Sequence, residues 1–147
     1  MADQGQGSKV ISAPVDQLWQ VAVEVDRYPD WAGDVKSVTV DERDDQGRPA
    51  RATFTVGSFG LSATYTVEYD YDEPRSFRWH LVRSNEMRRL DGEYRFDDRG
   101  DGTVEVTYTL TVDLKIPVIG MIKRKAEKTI ISHALDGLRK EAERRNR

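Results

Sequence analysis

Between Val35 and Leu114 the apolar residues fall on every second position, and on either side of that span they fall three and four apart. Alternation predicts strands with one covered and one wet face, and the wider spacing predicts helices. The clearest strand carries Leu61, Ala63, Tyr65, Val67, Tyr69 and Tyr71 on one face and Ser62, Thr64, Thr66, Glu68 and Asp70 on the other. Shorter runs repeat the pattern at Val38 and Val40, at Ala52, Phe54 and Val56, at Phe77, Trp79 and Leu81, at Leu90, Tyr94 and Phe96, and from Val104 to Leu114. Polar stretches at 41–47, 57–60, 72–75 and 97–102 separate them, rich in the Asp, Gly and Pro that turns require. Strands joined by such short turns pair antiparallel.

Upstream, a short strand is expected around Lys9 to Ser12. Pro14 then suits the first turn of a helix that carries Val15, Leu18, Trp19, Ala22 and Val25 on one side. Pro29 stops it, and the compact segment from Asp26 to Val35 holds two large rings, Tyr28 and Trp31, that have no strand to sit on and are expected to turn inward. Residues 1–7 have no apolar pattern and are expected to form a flexible tail, leaving 8–147 as a single domain.

From Pro117 to Arg147 the spacing predicts one long helix. Ile119, Ile122, Ala126, Ile130, His133, Ala134, Gly137 and Leu138 share its inner face. Ala126, Ala134 and Gly137 are small where a packed stripe would carry Leu or Ile, so either the sheet comes very close or a hollow is left. The order of elements is that of an α+β fold: a curved antiparallel sheet of about seven strands wrapped around a long C-terminal helix, with one or two short helices after the first strand.

Composition adds exclusions. The 147 residues contain no cysteine, so disulfides and thiolate chemistry are ruled out, and 37% apolar with 33% charged residues is ordinary for a globular chain. No run approaches the roughly 18 apolar residues of a membrane span and the N-terminus has no leader pattern, so a cytoplasmic location is expected. Net charge is −3, but the C-terminal helix alone carries nine cations against four anions. Lys123, Arg124, Lys125 and Lys128 form a local cluster that could touch RNA, a ribosome or an anionic membrane, although a solvated outer face explains such a cluster more simply. The acidic overall balance argues against DNA as a partner.

Candidate chemistry is thin. His80 alternates with Trp79 and should face solvent, whereas His133 shares the inner helix face and could act as a hydrogen-bonding group or a general acid/base. Two histidines without ligand spacing make no zinc site, and neither a phosphate loop nor a nucleophile elbow is present, so no metal and no cofactor are expected. The carboxylate clusters at 41–45 and 97–101 are explained by turn chemistry.

The opening Ile11-Ser-Ala-Pro-Val-Asp-Gln-Leu-Trp, with Asp26-Arg-Tyr-Pro-Asp-Trp and Val35, resembles the START-like, helix-grip superfamily, in particular its polyketide cyclase/dehydrase and lipid-transport branch. The resemblance extends over nearly the whole chain. It implies a cavity between the concave sheet and the C-terminal helix, suited to a lipid, polyketide or quinone-like molecule. The expected lining is Trp31, Phe54, Phe59, Tyr65, Trp79, Tyr94 and Tyr108, with Met121 and His133 from the helix. Taken singly, each ring could equally fill a core. Phe59, at the tip of the 57–60 turn, could gate the cavity. The expected function is noncatalytic binding or carriage of a hydrophobic small molecule by a monomer or homodimer. The alternatives are a polyketide cyclase or dehydratase, in which Tyr65, Tyr94, Tyr108 and His133 would be the internal groups available, and a ribosome- or RNA-associated protein.

Overall fold

The alternating segments pair into one seven-stranded antiparallel sheet in this computed structural model, which describes residues 3–58, 61–115 and 120–146. The strands are β1 (Asp3–Ile11), β2 (Val35–Arg43), β3 (Pro49–Ser58), β4 (Leu61–Asp72), β5 (Ser76–Ser84), β6 (Met87–Asp98) and β7 (Val104–Leu114), in the spatial order β1-β7-β6-β5-β4-β3-β2. Helix α1 (Val15–Val23) and a 3-10 turn (Val25–Asp30) follow β1, and helix α2 (Gly120–Arg145) closes the chain. This is the helix-grip arrangement. Among the described residues no helix is long and apolar enough to cross a membrane.

Register shifts at Val35/Ser37 on β2, Thr66/Val67 on β4 and Met87/Arg89 on β6 bend the strands and add twist, so the sheet becomes concave. The acidic clusters serve the hairpins, as the turn reading expects. The Asp44 carboxylate accepts hydrogen bonds from the Gln46 and Arg48 amides at 2.9 Å, and Asp98 and Asp101 accept from Gly100 and Thr103 at 3.0 Å.

One half of the concavity is filled. Trp19 of α1 meets Phe77 and Phe96 edge-on at ring separations of 5.5 and 5.8 Å, and Leu18, Val21, Val104, Val106 and Leu138 complete a core without solvent contact. Such edge-to-face pairs add specificity to the burial of large apolar areas.

Residues 3–7, expected to be a tail, are strand instead. Asp3 to Ile11 pair in unbroken register with Val112 to Val104 of β7. Their inward face lacks an apolar pattern because glycines occupy it. A Cβ on Gly7 would lie 2.7 Å from Cγ2 of Ile131, and one on Gly5 would lie 3.0 Å from its Cδ1, so α2 is seated almost directly on the β1 backbone. The helix face differs accordingly from the expected stripe. Ile131, Leu135, Leu138 and Ala142 are buried against β1 and α1, in a row with the buried Glu127, whose charge hides the row in the sequence. Ala126, Ile130 and Ala134 lie beside this row and are half-buried.

Two more contacts fix α2. A Cβ on Gly137 would stand 2.6 Å from the Trp31 carbonyl oxygen and 2.9 Å from its ring, so the helix also touches the segment after the 3-10 turn. At the far end Arg145 donates to Glu24 after α1 and to Glu141 within α2, both at 2.9 Å. Hydrogen bonds from Arg144, with further ones from Arg145, hold the Glu141 carboxyl down at about 2.

Gly137→Ala is expected to lower stability by about 1–3 kcal/mol, because the added methyl meets backbone that cannot step aside. Gly33→Ala, with nothing near its Cβ, should cost much less. Denaturant midpoints compare the two, and equal midpoints would contradict this account of the seat. The Glu141 carboxyl is depressed in the folded chain, so its contribution is present above the ordinary value of 4.5 and is lost as pH falls toward 2. Glu141→Gln should therefore shallow the acid limb of a stability-against-pH curve between those values, and an unchanged limb would remove the carboxylate from that role.

Candidate functional site

Where α2 stands clear of β3 to β6, a cavity of about 570 Å3 remains. That volume suits a ligand of drug or lipid-fragment size. The strands build its wall by simple alternation. Phe54 of β3 and Tyr65 of β4 stack at 5.4 Å with rings 7° from parallel, Tyr69 follows four residues on, and Tyr94 of β6 meets Tyr108 of β7 edge-on at 4.8 Å. Trp79 of β5 lies flat across β6, where a Cβ on Gly92 would come within 2.1 Å of its ring, so Gly92 is the groove that holds the indole. Above the wall, Tyr28 and Trp31 pack together at 4.9 Å, and the Tyr28 hydroxyl donates to the Ala22 carbonyl.

Six of the expected rings thus line one cavity: Trp31, Phe54, Tyr65, Trp79, Tyr94 and Tyr108. His133 also lines it, at the rim and half exposed, rather than deep on the inner face. Phe59 and the Met121 side chain lie outside the described residues.

The phenols are the cavity's main polar groups. Among the described residues, the hydroxyls of Tyr65, Tyr69, Tyr94 and Tyr108 have no hydrogen-bond partner, whereas Tyr28 and Tyr71 donate to the backbone carbonyls of Ala22 and Pro49. Burial raises the titration of all four far above the ordinary value for tyrosine, with a smaller contribution from the Asp34 charge at Tyr108. They are neutral donors at any physiological pH, suited to carbonyl or ether oxygens and unsuited to acting as bases. Trp31 Nε1 is buried without a partner.

Four charged residues of the lining were not singled out for it from the sequence. Asp34, in the turn before β2, approaches His133 with its Oδ2 3.2 Å from Nδ1, joining residues 99 apart across the mouth. Glu86, between β5 and β6, accepts the Thr64 amide at 2.9 Å. Lys123 and Glu127 face the cavity from α2. Lys123 was expected on the outer basic cluster with Arg124, Lys125 and Lys128; the latter three are exposed and Lys123 is not. Asp34 gave no signal because it sits in a turn among other acidic residues. Its partner is distant in sequence, and no periodicity connects the two. Among the described residues no group of three or more His, Asp or Glu side chains is arranged to hold a metal ion.

Comparison with solved structures places the fold. A START superfamily protein from Mycobacterium smegmatis superposes with a TM-score of 0.88 at 18% identity, over 96% of this chain and 97% of that one. The Zhui aromatase/cyclase from Streptomyces sp. R1128 superposes with a TM-score of 0.87 at 17% identity, over 100% and 97%. A major latex-like protein from Panax ginseng does so at 0.74 and 10% identity, over 96% and 97%. At such identities the likeness is one of fold. No curated protein matches in sequence. The sequence model described as polyketide cyclase/dehydrase and lipid transport matches residues 11–139, the span from the end of β1 to the last turns of α2. By that match, and with the START-like fold around it, the chain belongs to the polyketide cyclase/dehydrase and lipid-transport family.

Proposed function

We propose that the chain binds a hydrophobic small molecule carrying carbonyl-type oxygens, of lipid, polyketide or quinone-like character, in the cavity between the sheet and α2. One observation carries this reading: the cavity is walled by aromatic rings, yet four of its phenol hydroxyls find no partner among the described residues. These hydroxyls open onto the cavity, where an oxygen-bearing ligand could accept their hydrogen bonds. Family membership supports the same ligand class.

Conversion of such a ligand by cyclisation or dehydration is the alternative, supported by the fold likeness to an aromatase/cyclase. A macromolecular partner for the basic helix is less well supported. Arg139, Arg144 and Arg145 are engaged with carboxylates, and Lys123 belongs to the cavity, which leaves a small exposed group at Arg124, Lys125 and Lys128 with Lys140 farther along the helix.

Native mass spectrometry of freshly purified protein, with extraction of whatever it releases, identifies a resident ligand directly. A matched probe pair tests the chemistry. Menadione should quench the tryptophan fluorescence of Trp31 and Trp79 saturably and more tightly than 2-methylnaphthalene, which lacks the two oxygens; failure of both to bind would sink the reading. Tyr94→Phe and Tyr108→Phe should each weaken menadione by about 5–10-fold, the worth of one hydrogen bond, and leave 2-methylnaphthalene unaffected. Because neither hydroxyl is bonded among the described residues, neither change should lower the melting temperature. Gly92→Ala should push Trp79 into the hollow and weaken both probes together.

A further inference from the structure

We propose that Asp34 and His133 form a proton-transfer dyad at the rim of the cavity, acting on a ligand whose carbonyl has a hydrogen on the neighbouring carbon. The inference rests on the binding reading above and adds chemistry to it.

The contact fixes the tautomer. A carboxylate only accepts hydrogen bonds, so at 3.2 Å the Nδ1 of His133 must carry the proton that it shares with Asp34 Oδ2. In the neutral ring the lone pair is then on Nε2. This is the arrangement of a base held in place by an orienting acid, and the packing of Gly137 on Trp31 brings the two segments together. Asp34 is itself held: its backbone carbonyl accepts the Gly57 amide of β3 at 2.9 Å, and its side chain is only about one-fifth exposed. His133 is about half exposed, so a proton taken from a ligand can pass on to water.

Both residues line the same cavity as Tyr108, whose hydroxyl lies close enough to Asp34 to feel its charge. Base, orienting carboxylate and neutral hydrogen-bond donor therefore belong to the lining of one cavity. Elsewhere in the lining the ionisable groups are differently engaged or differently placed: Glu86 holds the Thr64 amide, and Lys123 and Glu127 sit on α2 one to three turns before His133.

The step balances without a further reagent. Nε2 takes the proton from the carbon beside the carbonyl, the C–H electron pair becomes the carbon–carbon double bond of the enolate, and the oxygen takes up the negative charge. Tyr108 donates a hydrogen bond to that oxygen without losing its proton. The imidazolium then returns a proton, its own or one exchanged with water, to the same carbon. His133 is the catalytic residue of this step, and Asp34 is a positioning residue.

Deuterium exchange at the benzylic methylene of 2-tetralone in heavy water, followed by proton NMR, reads the step directly, with fluorescence quenching reporting whether 2-tetralone is bound. The expected result is saturable exchange faster than the buffer rate. His133→Gln should lose about a hundredfold of the acceleration with 2-tetralone still bound. Asp34→Asn should lose about tenfold in turnover at little change in KM, and Asp34→Glu should restore part of it. Both sites are at the rim rather than in the core, and unchanged quenching of the variants by 2-tetralone checks that their fold is kept. Bound 2-tetralone without accelerated exchange, or exchange indifferent to His133→Gln, overturns the dyad and leaves the binding reading standing. If 2-tetralone, menadione and 2-methylnaphthalene all fail to bind, the binding reading falls and takes the dyad with it.

Discussion

Everything distinctive in this molecule depends on how closely α2 is allowed to approach β1. Gly5 and Gly7 strip one edge strand of side chains, so Ile131 and Leu135 rest against bare backbone, while β3 to β6 keep large rings on the same concave face. A rigid helix cannot touch both. Drawn down at the edge and pinned by Gly137 against Trp31 and by Arg145 against Glu24, it is propped away from the middle of the sheet, and the gap persists as a hollow. Close packing is the rule in protein interiors, so a gap of this size has to be held open by structure around it.

The chemistry of the hollow follows from its dielectric. Burial suppresses ionisation of the four phenols, which leaves them as neutral donors over the whole working range of pH. Charge is confined to the rim and to α2. The interior can thus hold and orient an oxygen-bearing molecule, and any proton movement falls to groups in contact with water. Recognition and reactivity are separated by depth.

Much of this was legible in the chain. Alternation located six of the strands and five of the expected cavity rings, because a residue's side of a strand is fixed by parity once the strand is known. The small residues Ala126, Ala134 and Gly137 signalled either a hollow or a close approach; both occur, the hollow beside Ala126 and Ala134 and the close approach at Gly137. What escaped was of another kind. The glycine face of β1 looked like a disordered tail because its partner in packing is 120 or more residues away and the strand itself carries no apolar signal. Glu127 interrupted the true buried stripe and shifted the expected helix face toward His133. The approach of Asp34 to His133 could not be read at all, since it depends on the way two distant segments converge at the mouth.

The edge position of β1 has a temporal side. The strand made first lies beside β7 and beneath α2, the two elements made last, so neither the sheet's final pairing nor the helix seat can form from a partial chain. Most stabilising contacts join residues far apart in sequence, a topology associated with slow, late ordering. On the ribosome the aromatic wall would be assembled as an open half-shell well before anything covers it. Apolar surface of that kind is what chaperones bind, or what a ligand already present could occupy, so enclosing the guest and finishing the fold would be a single event.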